Sequence, residues 1–271
     1  MLYLNDRKKV ARNLHLIAHQ SFKSQLYMNQ LKPIEQVIPP SPLQLKLDGE
    51  QSLQESSELE KSAQLYWENF YTRQLNQFPP SQFAAFIANE FKNHPLFIDI
   101  GCGNGRDSLF FSYLGHDVIG VDKSSAAIEF CNSQMMNSNK TISTFINSDV
   151  SDLEHHKSMF ESTPLVKKVI YSRFFIHAIQ EEREDELFEF IRRICQNPED
   201  VVALEFRTEE DALNPKQAQA HFRRFISPTN LIHKMQHIYK FQIQYQVQGY
   251  GMAKYGVEDA HVCRVIAKPT L

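Results

Sequence analysis

Short apolar runs alternate with longer amphipathic segments between residues 96 and 206 of the chain. The apolar runs predict strands at Leu96–Ile100, Val118–Val121, Ile142–Ile146, Val166–Tyr171 and Val201–Phe206. The amphipathic segments predict helices at Asp107–Leu114, Ser125–Met136 and Glu181–Cys195. Alternation of this kind is typical of β-α-β units, whose parallel sheet is covered by helices on both faces.

The segment 181–195 shows the helical pattern most clearly. Its apolar stripe consists of Leu187, Phe190, Ile191 and Ile194. Acidic residues occupy the first turn and Arg192 and Arg193 the last, which complements the helix dipole. We expect this helix to cover one face of the sheet.

Near the C-terminus, apolar and polar residues alternate strictly. Phe241, Ile243, Tyr245 and Val247 are separated by glutamines, which predicts a strand with one wet face at the edge of the sheet. A final strand is predicted at His261–Lys268. The loop 249–260 is short for a parallel crossover, so we expect this last pair to be antiparallel.

The N-terminal part of the chain has a different pattern. Residues 1–37 carry scattered apolar positions and predict one or two amphipathic helices. Residues 38–57 are rich in Pro, Ser, Gln and Glu, the composition of an exposed linker. We therefore expect a helical segment with a linker over residues 1–58 and one domain over residues 59–271.

That domain should begin with two helices. The segment Leu59–Tyr71 groups its apolar and aromatic residues, among them Trp67 and Phe70. Ser81 is a plausible N-cap for a second helix that runs to Phe91.

Composition narrows the class of protein. Of the 271 residues, 42% are hydrophobic, which is enough for a sizeable core. The net charge is −3 and the pI is about 6.4. Without a basic field the chain is a poor partner for phosphate backbones, so we do not expect nucleic acid as a partner.

Cysteine usage and hydropathy point to the cytoplasm. The four cysteines are isolated in sequence, without the close pairs of a disulfide framework or a zinc knuckle. No apolar run approaches the roughly 18 residues of a membrane span. His15/His19 and His233/His237 have helical spacing but no nearby third ligand, so we expect no metal site.

A glycine-rich turn follows the first strand of the alternating region. Gly101, Gly103 and Gly105 form a G-x-G-x-G pattern, and Asp99 precedes it by two residues. Glycine permits the tight turn and the close approach of a flat nucleoside to the backbone. The dinucleotide pattern is G-x-G-x-x-G, so the shorter spacing suits a ligand without a pyrophosphate.

Acidic residues end the next two strands. Asp122 lies twenty-one residues after Gly101, where a carboxylate can accept both ribose hydroxyls. Asp149 follows the third strand, near the expected adenine amino group, and the Val150 N–H can serve a ring nitrogen. The alternative is that these are turn glycines and capping acids. Three strand ends that converge on one adenosine favour the ligand site.

With these residues the chain resembles the class I S-adenosylmethionine-dependent methyltransferases. Their first motif is similar to Asp99-x-Gly101-x-Gly103-x-Gly105, and their second acidic position to Asp122. The resemblance covers about residues 64–268. It implies S-adenosylmethionine as the cofactor and an α/β, Rossmann-like, doubly wound sheet of seven strands in the order 3-2-1-4-5-7-6, with strand 7 antiparallel. The predicted cofactor site also includes Arg106, Lys123 and Ser172.

The methyl acceptor should lie beyond the ends of strands 4, 5 and 6. We predict that His177 is a general base and that Arg173 positions the acceptor. The predicted substrate-binding residues are Glu205, Arg207, His221, Arg224 and Tyr250. Three arginines around one pocket favour an anionic acceptor. The alternative is that His177 packs or caps a helix and that each arginine pairs with a nearby acid.

A second resemblance concerns the acceptor. The segment after the fourth predicted strand lacks the Asn/Asp-Pro-Pro-Tyr/Phe signature of enzymes that methylate the exocyclic amines of bases or glutamine amides. It also lacks the Pro-Cys nucleophile of cytosine carbon methylation. The strings Tyr171–Ala178, Glu205–Arg207 and His221–Phe225 are similar to methyltransferases associated with bacterial capsule and surface polysaccharide synthesis. This similarity implies a sugar or sugar-linked acceptor.

We therefore predict O- or N-methylation of a small-molecule or carbohydrate acceptor. A protein or RNA methyltransferase is the alternative among enzymes, and a non-catalytic adenosine-binding scaffold is the alternative outside them. A NAD-dependent dehydrogenase is disfavoured by the glycine spacing. The sequence leaves the oligomeric state open.

Overall fold

A computed structural model describes residues 42–73, 78–135, 142–161, 166–216 and 221–270, with side chains from residue 57 onward. The chain divides into two compact units, Met1–Leu53 and Gln54–Leu271. All contacts discussed below belong to the second unit.

The described elements follow the predicted alternation. The strands are β1 (Leu96–Ile100), β2 (Asp117–Asp122), β3 (Ser143–Asn147), β4 (Lys168–Arg173), β5 (Val201–Arg207), β6 (Phe241–Gly249), β7 (Lys254–Tyr255), β8 (Glu258–Asp259) and β9 (Val262–Pro269). The α-helices are α1 (Pro42–Arg73), α2 (Gln82–Glu90), α3 (Ser108–Tyr113), α4 (Ser125–Met135), α5 (Lys157–Phe160), α6 (Glu181–Ile194) and α7 (Pro228–His237). Short 3-10 helices cover Val150–His156, Ile176–Ala178 and Glu209–Asp211.

Within the described residues, seven strands form one sheet in the order β3-β2-β1-β4-β5-β9-β6. The neighbours from β3 to β5 pair in parallel, and β9 runs antiparallel to both β5 and β6. The predicted seventh strand is β9, because the small β7–β8 hairpin precedes it in the chain. The predicted order and the antiparallel last strand are thus confirmed.

The core lies on both faces of the sheet. Ile98 and Ile100 of β1 pack into one hydrophobic cluster together with α6, whereas Phe97 packs into a second cluster with α2 and α3. The predicted apolar stripe of α6 is buried. Ser81 caps α2 through its side chain, which accepts the Ala84 N–H, so that prediction is also confirmed.

The predicted linker over residues 38–57 is wrong from Pro42 onward, because this stretch is the first part of α1. Pro42 stands at the first helical position, where the missing N–H and the fixed φ angle are compatible with a helix. The residues after it are mostly Leu, Gln, Lys and Glu, which are good helix formers, with a single interior glycine at Gly49. The helices predicted over residues 1–37 and the pair His15/His19 lie outside the described residues.

All four cysteines are buried and unpaired. Among the described residues, none of the helices combines the length and hydropathy that a membrane-spanning segment needs.

Candidate active site

The glycine turn after β1 has the backbone conformation that its residues suggest. Gly101, Gly103 and Gly105 have φ angles of +77°, +54° and +74°, in the left-handed region that side chains disfavour. A β-carbon on Gly101 would clash with the ring of Phe175, and one on Gly103 with the Tyr71 hydroxyl. The turn therefore requires glycine both for its conformation and for the close approach of neighbouring groups.

Asp122 ties the end of β2 to this turn. Its Oδ2 accepts the Gly103 N–H at 2.8 Å and its Oδ1 accepts the Ser124 N–H at 2.9 Å. Burial raises the pKa of this carboxyl above its usual value. A carboxylate oxygen has more than one acceptor direction, so both oxygens can accept a further hydrogen bond.

Asp149 lies at the end of β3 and is the N-cap of the 3-10 helix that begins at Val150. Its carboxylate accepts the Ser151 N–H at 3.4 Å and forms an ion pair with Lys123. Burial acts to raise the pKa of Asp149, but the hydrogen bond and charge of Lys123 outweigh it, and the pKa lies below its usual value. The capping alternative thus describes one role of Asp149, which also lines the cavity described below.

Four predicted cofactor residues do not line the cavity described below, namely Asp99, Gly103, Gly105 and Ser172. The side chains of Asp99 and Ser172 lie behind the glycine turn. The buried Asp99 accepts the Ser108 hydroxyl at 2.5 Å at the start of α3. Burial raises the pKa of Asp99 to about 8. Ser172 donates to the Ile100 carbonyl at 2.9 Å. Both side chains therefore support the turn and do not face a ligand.

One cavity of about 350 Å³ lies at the carboxyl ends of the parallel strands. On the side of β1, β2 and β3 its wall includes Gly101, Cys102, Arg106, Asp122, Lys123, Asp149 and Val150. On the side of β4 and β5 it includes Arg173, Phe174, Phe175, His177, Arg207, His221, Phe222 and Arg223. The two predicted halves of the site thus share one space.

Helix α1 forms a third side of this cavity through Tyr66, Trp67, Phe70 and Tyr71. Glu68, on the same helix, accepts the Ser124 and Ser125 hydroxyls at 2.6 Å each and the Ala126 N–H at 3.0 Å. Burial acts to raise the pKa of Glu68, but these hydrogen bonds outweigh it and lower the pKa. A carboxylate from α1 therefore caps α4 and holds the aromatic side of the cavity beside the predicted cofactor residues.

His177 is buried in the cavity wall. Its Nδ1 accepts the Arg207 backbone N–H at 3.3 Å. Burial lowers the pKa of His177 well below its usual value, and the charge of Arg207 acts in the same direction. The ring is therefore neutral, and because Nδ1 accepts a hydrogen bond, its proton resides on Nε2.

The predicted acceptor arginines are all paired. Arg173 and Arg264 bind the two oxygens of the buried Glu205 at 2.7 and 2.6 Å. Arg207 forms ion pairs with Asp211, at 2.6 Å, and with Glu258. These neutralised arginines are weak candidates for an anion clamp, as the ion-pair alternative anticipated.

Three predicted substrate residues lie outside the cavity wall. Glu205 is buried between its two arginines. Arg224 binds Glu184 and the carbonyls of Ile176 and Ile179. Tyr250 is 54% exposed and accepts the Asn214 side-chain amide at 3.2 Å. His221 does line the cavity, with its ring stacked on Tyr66 at 4.1 Å.

Sequence reasoning missed Arg223 and the aromatic side of α1. The grouping of Tyr66, Trp67, Phe70 and Tyr71 was the available signal, because four large aromatic residues on one short segment exceed what a surface helix needs. His233 and His237 lie on α7 with their rings 4.4 Å apart. The described residues contain no group of three or more His, Cys, Asp or Glu side chains that could hold a metal ion.

The central part of the chain is similar to known proteins. Residues 97–198 match a family described as a methyltransferase domain. Over 47 residues the chain is 45% identical to the probable S-adenosyl-L-methionine-dependent methyltransferase TehB of Haemophilus influenzae. That stretch covers 17% of this chain and 16% of the TehB protein, so the match spans a small part of the relative's length.

Solved structures share the fold. A SAM-dependent methyltransferase from Anabaena variabilis has a TM-score of 0.55 at 20% identity, with 75% of this chain and 93% of that chain covered. TehB from Haemophilus influenzae has a TM-score of 0.53 at 16% identity, with 75% and 67% covered. The seven-stranded sheet of this chain thus has the fold of these methyltransferase structures, and residues 97–198 within it match the methyltransferase-domain family.

Proposed function

We propose that the protein transfers the methyl group of S-adenosylmethionine to an oxygen or nitrogen of a small-molecule or carbohydrate acceptor. The observation that carries this proposal is one shared cavity, whose wall runs from Gly101 and Asp122 to His177 and His221. A direct displacement needs both reactants aligned in one space. The aromatic side chains of α1 narrow that space, which favours a small acceptor.

The cofactor side fits S-adenosylmethionine. The glycine turn presents backbone to the cavity, and Asp122 can accept hydrogen bonds from the ribose. Arg106 lines the cavity, donates from Nε to the Pro79 carbonyl at 2.7 Å and forms no ion pair with a described carboxylate, so we assign it to the cofactor's carboxylate. When bound, the cofactor supplies a methyl group on a sulfonium, which alignment with a nucleophile suffices to transfer.

On the acceptor side we propose that His177 acts as a hydrogen-bond donor. Its neutral ring carries the proton on Nε2, while Nδ1 is occupied by the Arg207 N–H. The base role predicted from the sequence would need the opposite tautomer. As a donor, His177 would hold the acceptor oxygen or nitrogen with a lone pair directed at the methyl carbon.

A sugar or sugar-linked acceptor is the narrower form of the proposal. It rests on the similarity of three strings to methyltransferases of surface polysaccharide synthesis. The three segments lie side by side in the structure. Phe174 donates its N–H to the Glu205 carbonyl, and Arg224 donates its N–H to the His177 carbonyl. The exposed polar and aromatic groups of one cavity suit a sugar ring, which binds through hydrogen bonds and stacking.

The proposal is tested by transfer of labelled methyl from S-adenosylmethionine into a fractionated cell extract. The fractions are small metabolites, glycans, nucleotides, protein and RNA, and Asp122→Asn is the matched control because its cofactor affinity should fall. We expect label in the metabolite or glycan fraction. Label confined to protein or RNA would contradict the proposed acceptor class. Cofactor binding without transfer to any fraction would favour the non-catalytic scaffold.

A further inference from the structure

The segment between β5 and α7 presents two adjacent arginines in opposite directions. Its backbone is pinned in an extended form, because Arg224 donates its N–H to the His177 carbonyl at 2.8 Å and Ile226 donates to the Arg207 carbonyl at 3.2 Å. In extended backbone, successive side chains point to opposite sides. Arg224 therefore turns inward to Glu184, and Arg223 turns to the cavity.

Arg223 differs from the other arginines on the acceptor side. Arg173, Arg183 and Arg207 line the cavity as ion pairs, whereas Arg223 forms no ion pair with any carboxylate of the described residues. Its Nε is buried, with no hydrogen-bond partner in the part of the chain that the structure describes. A buried guanidinium N–H without a partner carries a free-energy cost, and an anion can offset it on the side of Arg223 that lines the cavity.

The guanidinium of Arg223 is held in place by an aromatic array. Its Nη2 donates to His221 Nε2 at 3.0 Å. The His221 ring stacks on Tyr66 at 4.1 Å and meets Trp67 edge-on at 5.1 Å. Because an arginine cannot accept a hydrogen bond, His221 Nε2 accepts this one and carries no proton. The contact therefore leaves the positive charge of Arg223 uncompensated.

We infer that Arg223 binds a carboxylate of the methyl acceptor, with Tyr66, Trp67 and His221 beside it as an aromatic wall. The inference rests on the proposed function and names the acceptor's chemical class. A monoanion matches the site, because Arg207 beside it is already neutralised by Asp211 and Glu258. A phosphate dianion would leave one negative charge unpaired near these acids.

The test exploits the single tryptophan of the chain, Trp67, whose fluorescence reports on this wall. The full-length protein, saturated with S-adenosylhomocysteine, is titrated with two matched probe pairs, benzoate against benzamide and glucuronate against glucose. The variants are Arg223→Gln, Arg223→Lys and the control Arg193→Gln. Arg193 lies on α6 in an ion pair with Glu154, away from this cavity.

We expect at least one acid to bind about 10-fold or more tightly than its neutral partner, the scale of a charge-assisted hydrogen bond. Arg223→Gln should abolish this preference, Arg223→Lys should keep part of it, and Arg193→Gln should keep all of it. Equal binding of acid and neutral partner, a preference that survives in Arg223→Gln, or no binding of either acid would overturn the inference. Calorimetry with S-adenosylhomocysteine on the same samples separates the outcomes, because loss of cofactor binding would instead contradict the proposed function.

Discussion

At the scale of single residues, the buried carboxyl of Asp99 behind the glycine turn makes the stability of the protein depend on pH. This carboxyl accepts the Ser108 hydroxyl and has a pKa raised from 3.8 to about 8. A folded-state pKa above the unfolded value means that the folded protein holds the proton more tightly. This contribution to stability is complete below the unfolded pKa and is lost as pH rises through the folded pKa.

Asp99→Asn should therefore stabilise the protein increasingly as pH rises from about 4 to about 8, because asparagine keeps the acceptor for Ser108 without an ionisable group. Between about pH 5 and pH 7 the difference in the free energy of unfolding between Asp99→Asn and wild type should grow by on the order of 1–3 kcal/mol, because each pH unit contributes about 1.4 kcal/mol. Thermal unfolding across this range measures it. A pH-independent difference between the two proteins would show that Asp99 is ionised in the folded state.

A second prediction at this scale concerns His177. His177→Ala should lower kcat by about 10–100-fold by removing the Nε2–H donor, with cofactor affinity retained. His177→Gln should recover part of the loss, since its amide can donate from a similar place. The acceptor found by label transfer supplies the substrate for these measurements. Failure of glutamine to recover activity, together with loss of rate on acidification through a low pKa, would instead indicate a general base.

The candidate site shows what residue types alone can predict. Gly101 and Asp122 were predicted because a turn and a strand end dictate both their type and their place, and both line the cavity. Arg223 was missed and Arg224 chosen, because which of two adjacent arginines faces a cavity depends on hydrogen bonds between distant segments. The local sequence does not show which residues these hydrogen bonds pair, and so does not show which arginine faces the cavity.

At the scale of elements, α1 is the largest departure from the sequence prediction. Its helical pattern over residues 59–71 was recognised, but proline and serine upstream suggested a linker. For helix α7 the sequence analysis noted only the helical spacing of His233 and His237, although Ser227-Pro228 is a start signal and Leu231 and Met235 are buried on one face. Proline and serine occur both in linkers and at the first residues of helices, and only packing decides between these two structures.

The cap that Glu68 provides gives α1 a testable function. Glu68→Ala should lower the free energy of unfolding by about 1–2 kcal/mol, the usual cost of a lost N-cap, and weaken cofactor binding because α1 would no longer be tied to α4. Glu58→Ala, an exposed position on the same helix, is the matched control. Denaturant unfolding and calorimetry check both effects. If the two variants behave alike, the contacts of Glu68 with Ser124 and Ser125 contribute nothing measurable.

At the scale of the whole molecule, the sheet order was predictable because the glycine turn and the acidic strand ends resemble a family whose sheet has this order. The wet face of β6 and the short connection to β9 placed the antiparallel pair correctly. The joint cavity was less accessible to prediction, since α1 reaches it from a segment that precedes the sheet in the chain.

The division into two compact units leads to a prediction about truncation. A chain that begins at residue 38 should keep the thermal unfolding and cofactor affinity of the full chain, because the unit Gln54–Leu271 holds the proposed cofactor residues. A chain that begins at residue 78 should lose cofactor affinity, since it lacks Glu68 and the aromatic side of the cavity. Loss of cofactor affinity in the chain that begins at residue 38 would show that residues 1–37 complete the domain.

The central claim is that the three strand ends hold S-adenosylmethionine, and calorimetric titration tests it most directly. Wild type should bind S-adenosylmethionine at one site for each chain. Asp122→Asn should bind it about 10–100-fold more weakly, because a charge-assisted hydrogen bond to the ribose is lost and an amide cannot accept both the Gly103 and the Ser124 N–H groups. The control Asp152→Asn, with a side chain 59% exposed, should match wild type. Absence of binding to wild type, or equal affinity for Asp122→Asn, would contradict the account.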